Sequence, residues 1–411
     1  MTVNGTDRSV VIVGAGQAGS ALAFRLREIG HQGPIALIGE EIWPPYQRPP
    51  LSKKYLTGEL ERDRLFLKPA GAYDEAGIEL VLGRPVTGID RAARRVLLAG
   101  VDNPERRYDI LVLATGGSPR LPEDLSDPLP DNIFTLRGIG DADRMRASFA
   151  PGRRLLVVGG GYIGLELAAV ARLQGLEVTL IEQAPRILGR VACAETADYF
   201  RELHTGQGVM IREGVAIAGY RGPVQRPSAV VLADGTEISF DLAVFGIGLV
   251  PNDALASEAG LHCDGGVLVD GWGRTSDPGI FAVGDCARLP LDGRMLRIES
   301  VHNAIAQAEH LADYLVQPDV SAYAPLPWFW SDQYACKLQI AGLNLGYTSV
   351  VTRRGSKSGS LSNWYFRDGK MIACDAMNDA RSFMLAKRWL AADRQPTPEM
   401  MADPAWNPAS F

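Results

Sequence analysis

The sequence predicts an α/β protein: two doubly wound domains of parallel sheet with covering helices, then a small α+β domain at the C-terminal end. Three observations carry this. A strand, glycine turn, helix, strand and acid follow one another from Ser9, the same series recurs from Leu155, and beyond the linker Gln317–Pro327 the chain turns to short alternating apolar runs crowded with aromatics. The boundaries expected are 1–117 with 246–320 for the first domain, 118–245 for the second and 321–411 for the third.

The first series opens on Ser9–Gly19, SVVIVGAGQAG, an apolar run suited to a buried parallel strand that leads into Gly14-Ala15-Gly16-Gln17-Ala18-Gly19. A helical face of Ala18, Leu22, Leu26 and Ile29 follows and stops at Gly30. Glycines there permit a tight turn and close approach of backbone to a pyrophosphate, and the helix start offers unpaired N–H groups to it. Glu40 ends the next apolar run, Ile35–Ile38, and lies 21 residues past Gly19, where a carboxylate accepts hydrogen bonds from a ribose. One such pattern is weak evidence in a chain with 45 glycines. The recurrence strengthens it: Leu155–Val158 enters Gly159-Gly160-Gly161-Tyr162-Ile163-Gly164, a helical run reaches Leu173 and stops at Gly175, and Val178–Ile181 ends in Glu182, 18 residues past Gly164. Two dinucleotide sites in one chain suggest a flavin and a nicotinamide.

At 411 residues, 46% hydrophobic and 22% charged, the chain has the balance of a globular protein of about three domains. A net charge of −6 and an isoelectric point near 5.5 argue against nucleic-acid binding. No run is long enough to span a bilayer, so no membrane partner is expected. Met1–Ser9 is short and polar without an apolar core, and a cytoplasmic protein is expected. The five cysteines, at 193, 263, 286, 336 and 374, form no CxxC or CxxxxC pair, so a thiol relay beside the first site is not offered. The five histidines show no metal-ligand spacing, and no metal site is expected.

Pro44–Leu51 is too rich in proline for a sheet or regular helix and suits the wall of a cofactor site. Ile110–Ala114 reads as a strand, and Ser118–Asn132 as a crossover into the second domain, with a return near Gly246–Asn252. Gly279–Val283 reads as a strand that sets Asp285 at its carboxyl end, either to meet ribityl hydroxyls or to cap a turn. Glu299–Leu315 is a helix whose positive end suits a reduced, anionic flavin. In the third domain Lys337–Ala341, Thr348–Thr352, Leu361–Phe366 and Met371–Asp375 read as strands, the last two joined through Asp368-Gly369. Ser382–Ala392 reads as a helix, and the tail Gln395–Phe411 as irregular.

PYQRPPLSK (Pro45–Lys53), LATGG (Leu113–Gly117), GGGYIGLE (Gly159–Glu166), GIGLVPN (Gly246–Asn252), AVGDCA (Ala282–Ala287), RIESVHNA (Arg297–Ala304) and PWFWSDQY (Pro327–Tyr334) occur in that order. Together they make the chain resemble the NADH-dependent ferredoxin reductases of oxygenase systems. The resemblance implies a glutathione-reductase-like pair of domains with FAD on the first and NADH on the second. It implies that Gly14, Ala15, Gly16, Ala18, Glu40, Arg48, Lys53, Val86, Ala114, Arg137, Asp285, Val301 and Trp330 meet FAD, and that Gly161, Tyr162, Ile163, Gly164, Glu182, Arg190 and Gly248 meet NADH. It makes Lys53 and Glu166 a pair near the flavin's reacting edge and Trp330 an aromatic beside the ring; on ordinary grounds Lys53 is a solvated charge and Glu166 a buried helix residue bonded to backbone.

The expected function is transfer of electrons from NADH through FAD to a 2Fe–2S ferredoxin, which in turn feeds an oxygenase. The rivals are an NADH oxidase or quinone reductase of the same fold, and a redox-sensing interaction flavoprotein. Arg353, Arg354, Lys357 and Lys337 are candidate cations for meeting an acidic ferredoxin, the alternative being a plain solvated surface.

Overall fold

Val10–Val13 is buried along its whole length because both faces of its sheet are covered, Val10 and Ile12 packing into one apolar cluster and Val11 and Val13 into another. In the computed structural model, which describes residues 7–100, 104–125, 128–355, 357–392, 394–408 and 411, it is the centre of a five-stranded parallel sheet. The strand order is Ile280–Ala282, Ile110–Leu113, Val10–Val13, Ile35–Ile38, Ile78–Val81. Every strand of a parallel sheet covered on both faces reads as a continuous apolar run, which is why VVIV, IALI and ILVL show no alternation. The helix Gln17–Glu28 buries Leu22, Ala23 and Leu26 against Ala304, Ala308 and Leu311 of the helix Val301–Val316. Of the polar N-terminal stretch, residues 1–6 lie outside the described residues, as do 126–127 of the crossover and 409–410 of the tail.

Contacts divide the chain into two compact units, one comprising Met1–Gln47, Arg62–Ser118 and Leu249–Pro325, the other Arg48–Glu61, Pro119–Gly248 and Leu326–Phe411. The second unit holds a matching five-stranded parallel sheet, ordered Met210–Glu213, Glu177–Glu182, Arg154–Val158, Leu242–Phe245, Ile133–Phe134. It also holds an antiparallel sheet ordered Trp328–Gln333, Cys336–Gly342, Lys370–Met377, Leu361–Arg367, Ser349–Arg354. Arg367 pairs with Lys370 across a two-residue turn in which Asp368 (φ 51°) and Gly369 (φ 76°) are both left-handed, as the Asp-Gly step requires. The aromatic run Trp328–Gln333, for which the sequence reading named no strand, is one of the two edge strands of this sheet. Among the described residues no helix is long and apolar enough to cross a membrane.

Two features differ from expectation. The tail is not wholly irregular: Pro398–Ala402 is a short helix, with Pro398 at its first turn and Thr397 Oγ1 accepting from the Met400 N–H at 3.3 Å. Arg353 is no free docking cation either. Its guanidinium donates to the backbone carbonyls of Met401 (2.6 Å), Asp403 (3.0 Å) and Trp406 (3.1 Å), which ties the tail to the sheet; Arg354, Lys357 and Lys337 are exposed.

A buried polar cluster joins the sheet to the helix Ala194–Gly206. Asp375, 1% exposed, accepts from Thr196 Oγ1 (2.8 Å) and from the Tyr365 hydroxyl, while Tyr365 Oη accepts from the Cys193 N–H at 2.9 Å. Burial raises the Asp375 carboxyl to about 6, against the pull of its two hydroxyl donors. A carboxyl raised on folding stabilises fully below its unfolded value of 3.8, and that contribution is lost as pH rises through about 6. The stability of the wild type relative to Asp375→Asn should therefore fall between those limits and level off above them in urea titrations at stepped pH. A flat difference would contradict the assignment.

Candidate functional site

In the first unit the glycine turn is shaped by backbone contact at one position and by open space at another. Gly14 has φ +118°, and a Cβ there would stand 2.1 Å from the Ala114 carbonyl oxygen. At Gly16, the residue before the helix, a Cβ would meet nothing within 4 Å, and no side chain caps the helix start. An uncapped helix start bordered by open space and by the small side chains of Ala15, Ala18 and Ala114 fits a pyrophosphate. The flanking segments converge on this turn. A Cβ on Gly39 would lie 2.7 Å from Ala15 Cβ, which sets the exposed Glu40 beside the turn, and one on Gly284 would lie 3.2 Å from Ala18 Cβ, which brings up Asp285. The Arg84 N–H donates to Gly39 O at 3.0 Å, fixing the approach of the strand Val86–Asp90. Val301 opens its helix, capped by Ser300 Oγ, which accepts from the Asn303 N–H at 3.1 Å.

The second unit repeats the device. Gly159 has φ +105° with a would-be Cβ 2.5 Å from Gly246 O, whereas Gly161 has nothing within 4 Å and the helix Tyr162–Leu173 has no side-chain cap. Gly164 is held tight, its would-be Cβ 2.0 Å from Gly159 O, and Ile163 is exposed. The Glu182 carboxylate accepts from the Gly160 N–H (2.7 Å) and the Ala184 N–H (2.7 Å), so it is fixed at the lip of the turn. Arg190 Nη2 lies 3.7 Å from where a Cβ on Gly248 would stand. The Tyr162 hydroxyl is buried without a hydrogen-bond partner among the described residues, and burial pushes it far above the ordinary phenol range. A buried donor of this kind fits a site completed by a ligand. Arg186 donates to Ala192 O at 2.9 Å. Glu182→Ala should narrow any preference for NADH over NADPH, read as the ratio of their kcat/KM values, and should weaken NADH about tenfold because the ribose hydroxyls lose a charged acceptor. An unchanged ratio would remove Glu182 from the ribose site.

Also in the second unit, Glu166 is 2% exposed and engaged by side chains rather than backbone. Its Oε2 accepts from Lys53 Nζ at 2.6 Å and Ser52 Oγ at 2.5 Å, and its Oε1 accepts from Ser331 Oγ at 2.7 Å. Lys53 Nζ also reaches Pro49 O at 3.4 Å, so the 3₁₀ turn Pro49–Ser52 aims both donors at one carboxylate. Such a charge is tolerated in the interior only because it is paired and bonded. Trp330, next to Ser331, has its ring centroid 6.1 Å from Trp328 and 6.2 Å from Phe329, and Phe329 lies 4.9 Å from Tyr162. Arg48 and Arg137 also meet, the Arg48 guanidinium donating to Arg137 O at 2.7 Å. Sequence reasoning assigned no role to Ser52 or Ser331. Both lay within quoted motifs, and nothing local marked them as partners of Glu166.

Residues 8–308 match the pyridine nucleotide-disulphide oxidoreductase family and residues 328–408 the reductase C-terminal family. The chain is 41% identical to rhodocoxin reductase of Rhodococcus erythropolis, covering 96% of this chain and 92% of that protein. It is 40% identical to putidaredoxin reductase of Pseudomonas putida, covering 98% and 96%. The crystal structure of the covalent putidaredoxin reductase–putidaredoxin complex superposes with a TM-score of 0.93 at 39% identity, covering 98% of this chain and 97% of that one.

Proposed function

The chain belongs to the pyridine nucleotide-disulphide oxidoreductase family, and from that membership we propose that it is an FAD-dependent reductase that carries electrons from NADH to a 2Fe–2S ferredoxin serving an oxygenase in the cytoplasm. One observation carries the reading. Three motifs far apart in the chain, Pro50-Leu51-Ser52-Lys53, Gly164-Leu165-Glu166 and Trp330-Ser331, meet at the Glu166 carboxylate, so a fixed cation and an aromatic strand share one buried support. Bound FAD supplies the conversion between a two-electron donor and a one-electron acceptor.

The chain's own residues bind, orient and polarise. The Gly14–Ala18 turn would hold the pyrophosphate of FAD, Glu40 its ribose, and Asp285 its ribityl hydroxyls. Gly161–Gly164, Glu182, Arg190 and Gly248 would hold NADH in the same manner. Lys53, paired with and aimed by Glu166, would place positive charge at the flavin's reacting edge. All five cysteines are free, and all but Cys263 are buried, which supports an exit for electrons that uses no thiol pair. That exit would run past Trp330, towards a surface where Arg354, Lys357 and Lys337 are exposed.

Trp330→Ala should slow ferredoxin-dependent cytochrome c reduction at least about tenfold, taking the aromatic contact as worth about 1.5 kcal/mol, while reduction of ferricyanide by NADH changes little. The cytochrome assay should also fall as salt rises and the ferricyanide assay should not, since steering between unlike charges is screened. Equal responses of the two assays would contradict docking on this sheet.

A further inference from the structure

Glu166 stands at the end of a hydrogen-bond chain that runs through the second unit. From its Oε1 the chain passes to Ser331 Oγ (2.7 Å), then to Gln333 Nε2 (3.1 Å from Ser331 Oγ), then from Gln333 Oε1 to His204 Nε2 (2.8 Å), and from His204 Nδ1 to the Tyr334 hydroxyl (3.4 Å). Ser331, Gln333 and His204 are each 0% exposed, so these bonds have no competition from water.

The donors all point one way. Gln333 offers its amide oxygen to His204, so His204 carries its proton on Nε2; Nδ1 is then the acceptor, and the Tyr334 O–H is its donor. Gln333 turns its NH2 to Ser331 Oγ, which accepts there and donates its own proton to Glu166. Each link thus leaves the next N–H or O–H a better donor, and the polarisation accumulates on one carboxylate. Burial holds the His204 imidazole below the ordinary histidine range, which keeps it neutral and the direction fixed.

We propose that Ser331, Gln333 and His204 are positioning residues for hydride transfer, acting through Glu166 to set how firmly Lys53 is held and so how much positive charge reaches the flavin. The proposal rests on the reading that puts the Lys53–Glu166 pair at the flavin. When the chain is cut, Glu166 satisfies its free lone pairs by drawing in Lys53, and the flavin loses part of that charge. The imidazole thereby tunes the reacting centre without touching it.

The test measures the midpoint potential of the bound flavin and the rate of its reduction by NADH in Ser331→Ala, Gln333→Leu, His204→Leu and Lys53→Met holoenzymes, with thermal midpoints alongside. The potential should move in the same direction in all four, most in Lys53→Met and then in the order Ser331→Ala, Gln333→Leu, His204→Leu. Ser331→Ala should slow flavin reduction about tenfold, the size of one hydrogen bond to a charged acceptor. Imidazole 15N shifts should show His204 protonated on Nε2 in the wild type and redistributed in Gln333→Leu. Potentials that stay at the wild-type value in the three chain variants while Lys53→Met shifts would overturn this inference alone. An unshifted Lys53→Met would overturn the inference together with the reading beneath it. Potentials that follow the loss of thermal stability, not the order of the chain, would also overturn it.

Discussion

Lys53→Met is expected to slow reduction of the flavin by NADH about a hundredfold, the usual loss when one fixed charge or donor is removed from a reacting centre. The same change should lower stability by about 3 kcal/mol, because Glu166 is buried and would lose the cation it is paired with. The two effects separate in a second variant. Lys53→Met combined with Glu166→Gln removes the orphaned carboxyl and should recover most of the thermal stability but none of the rate. Stopped-flow reduction and thermal unfolding of both proteins check this. An unchanged rate with normal FAD content would return Lys53 to a surface charge.

Gly16→Ala should abolish FAD binding while leaving the apoprotein as stable as the wild type to within about 0.5 kcal/mol. The added methyl meets nothing of the chain within 4 Å, so only a ligand occupying that space can feel it. Gly14→Ala provides the contrast: its methyl would stand 2.1 Å from the Ala114 carbonyl at a positive φ, and the folded chain itself should lose about 2 kcal/mol or more. The flavin-to-protein absorbance ratio and the unfolding midpoint together distinguish the two. Gly161→Ala should act on NADH as Gly16→Ala acts on FAD. If Gly16→Ala retained full FAD, the open space beside the first helix would not be the pyrophosphate site.

Much of this architecture is legible in the sequence because it is local. Gly14 and Gly159 are demanded by their own backbone angles and near contacts, and the apolar runs beside them are demanded by a sheet covered on both faces. Asp368-Gly369 shows its turn for the same reason. The support of Glu166 is not local. Ser52 is separated from it by 114 positions and Ser331 by 165, and a serine that donates to a distant carboxylate has no pattern to distinguish it from a serine in a turn. Arg353 misled for a related cause. Its partners are backbone carbonyls of the tail, which no side-chain pattern records, so a structural guanidinium reads as a surface cation. The helix Pro398–Ala402 did carry a signal, Thr397 followed by Pro398, but the density of prolines in the tail masked it.

Steady-state oxidation of NADH by the purified holoenzyme, with a 2Fe–2S ferredoxin, a quinone or oxygen as the sole acceptor, tests the central claim most directly. The account predicts a kcat/KM for the ferredoxin at least about a hundredfold above that for either small acceptor, in keeping with recognition of a protein partner by a built surface, and a preference for NADH over NADPH. Turnover with oxygen or quinone equal to or faster than with every 2Fe–2S ferredoxin tried would contradict it and make the protein an oxidase or quinone reductase of the same fold.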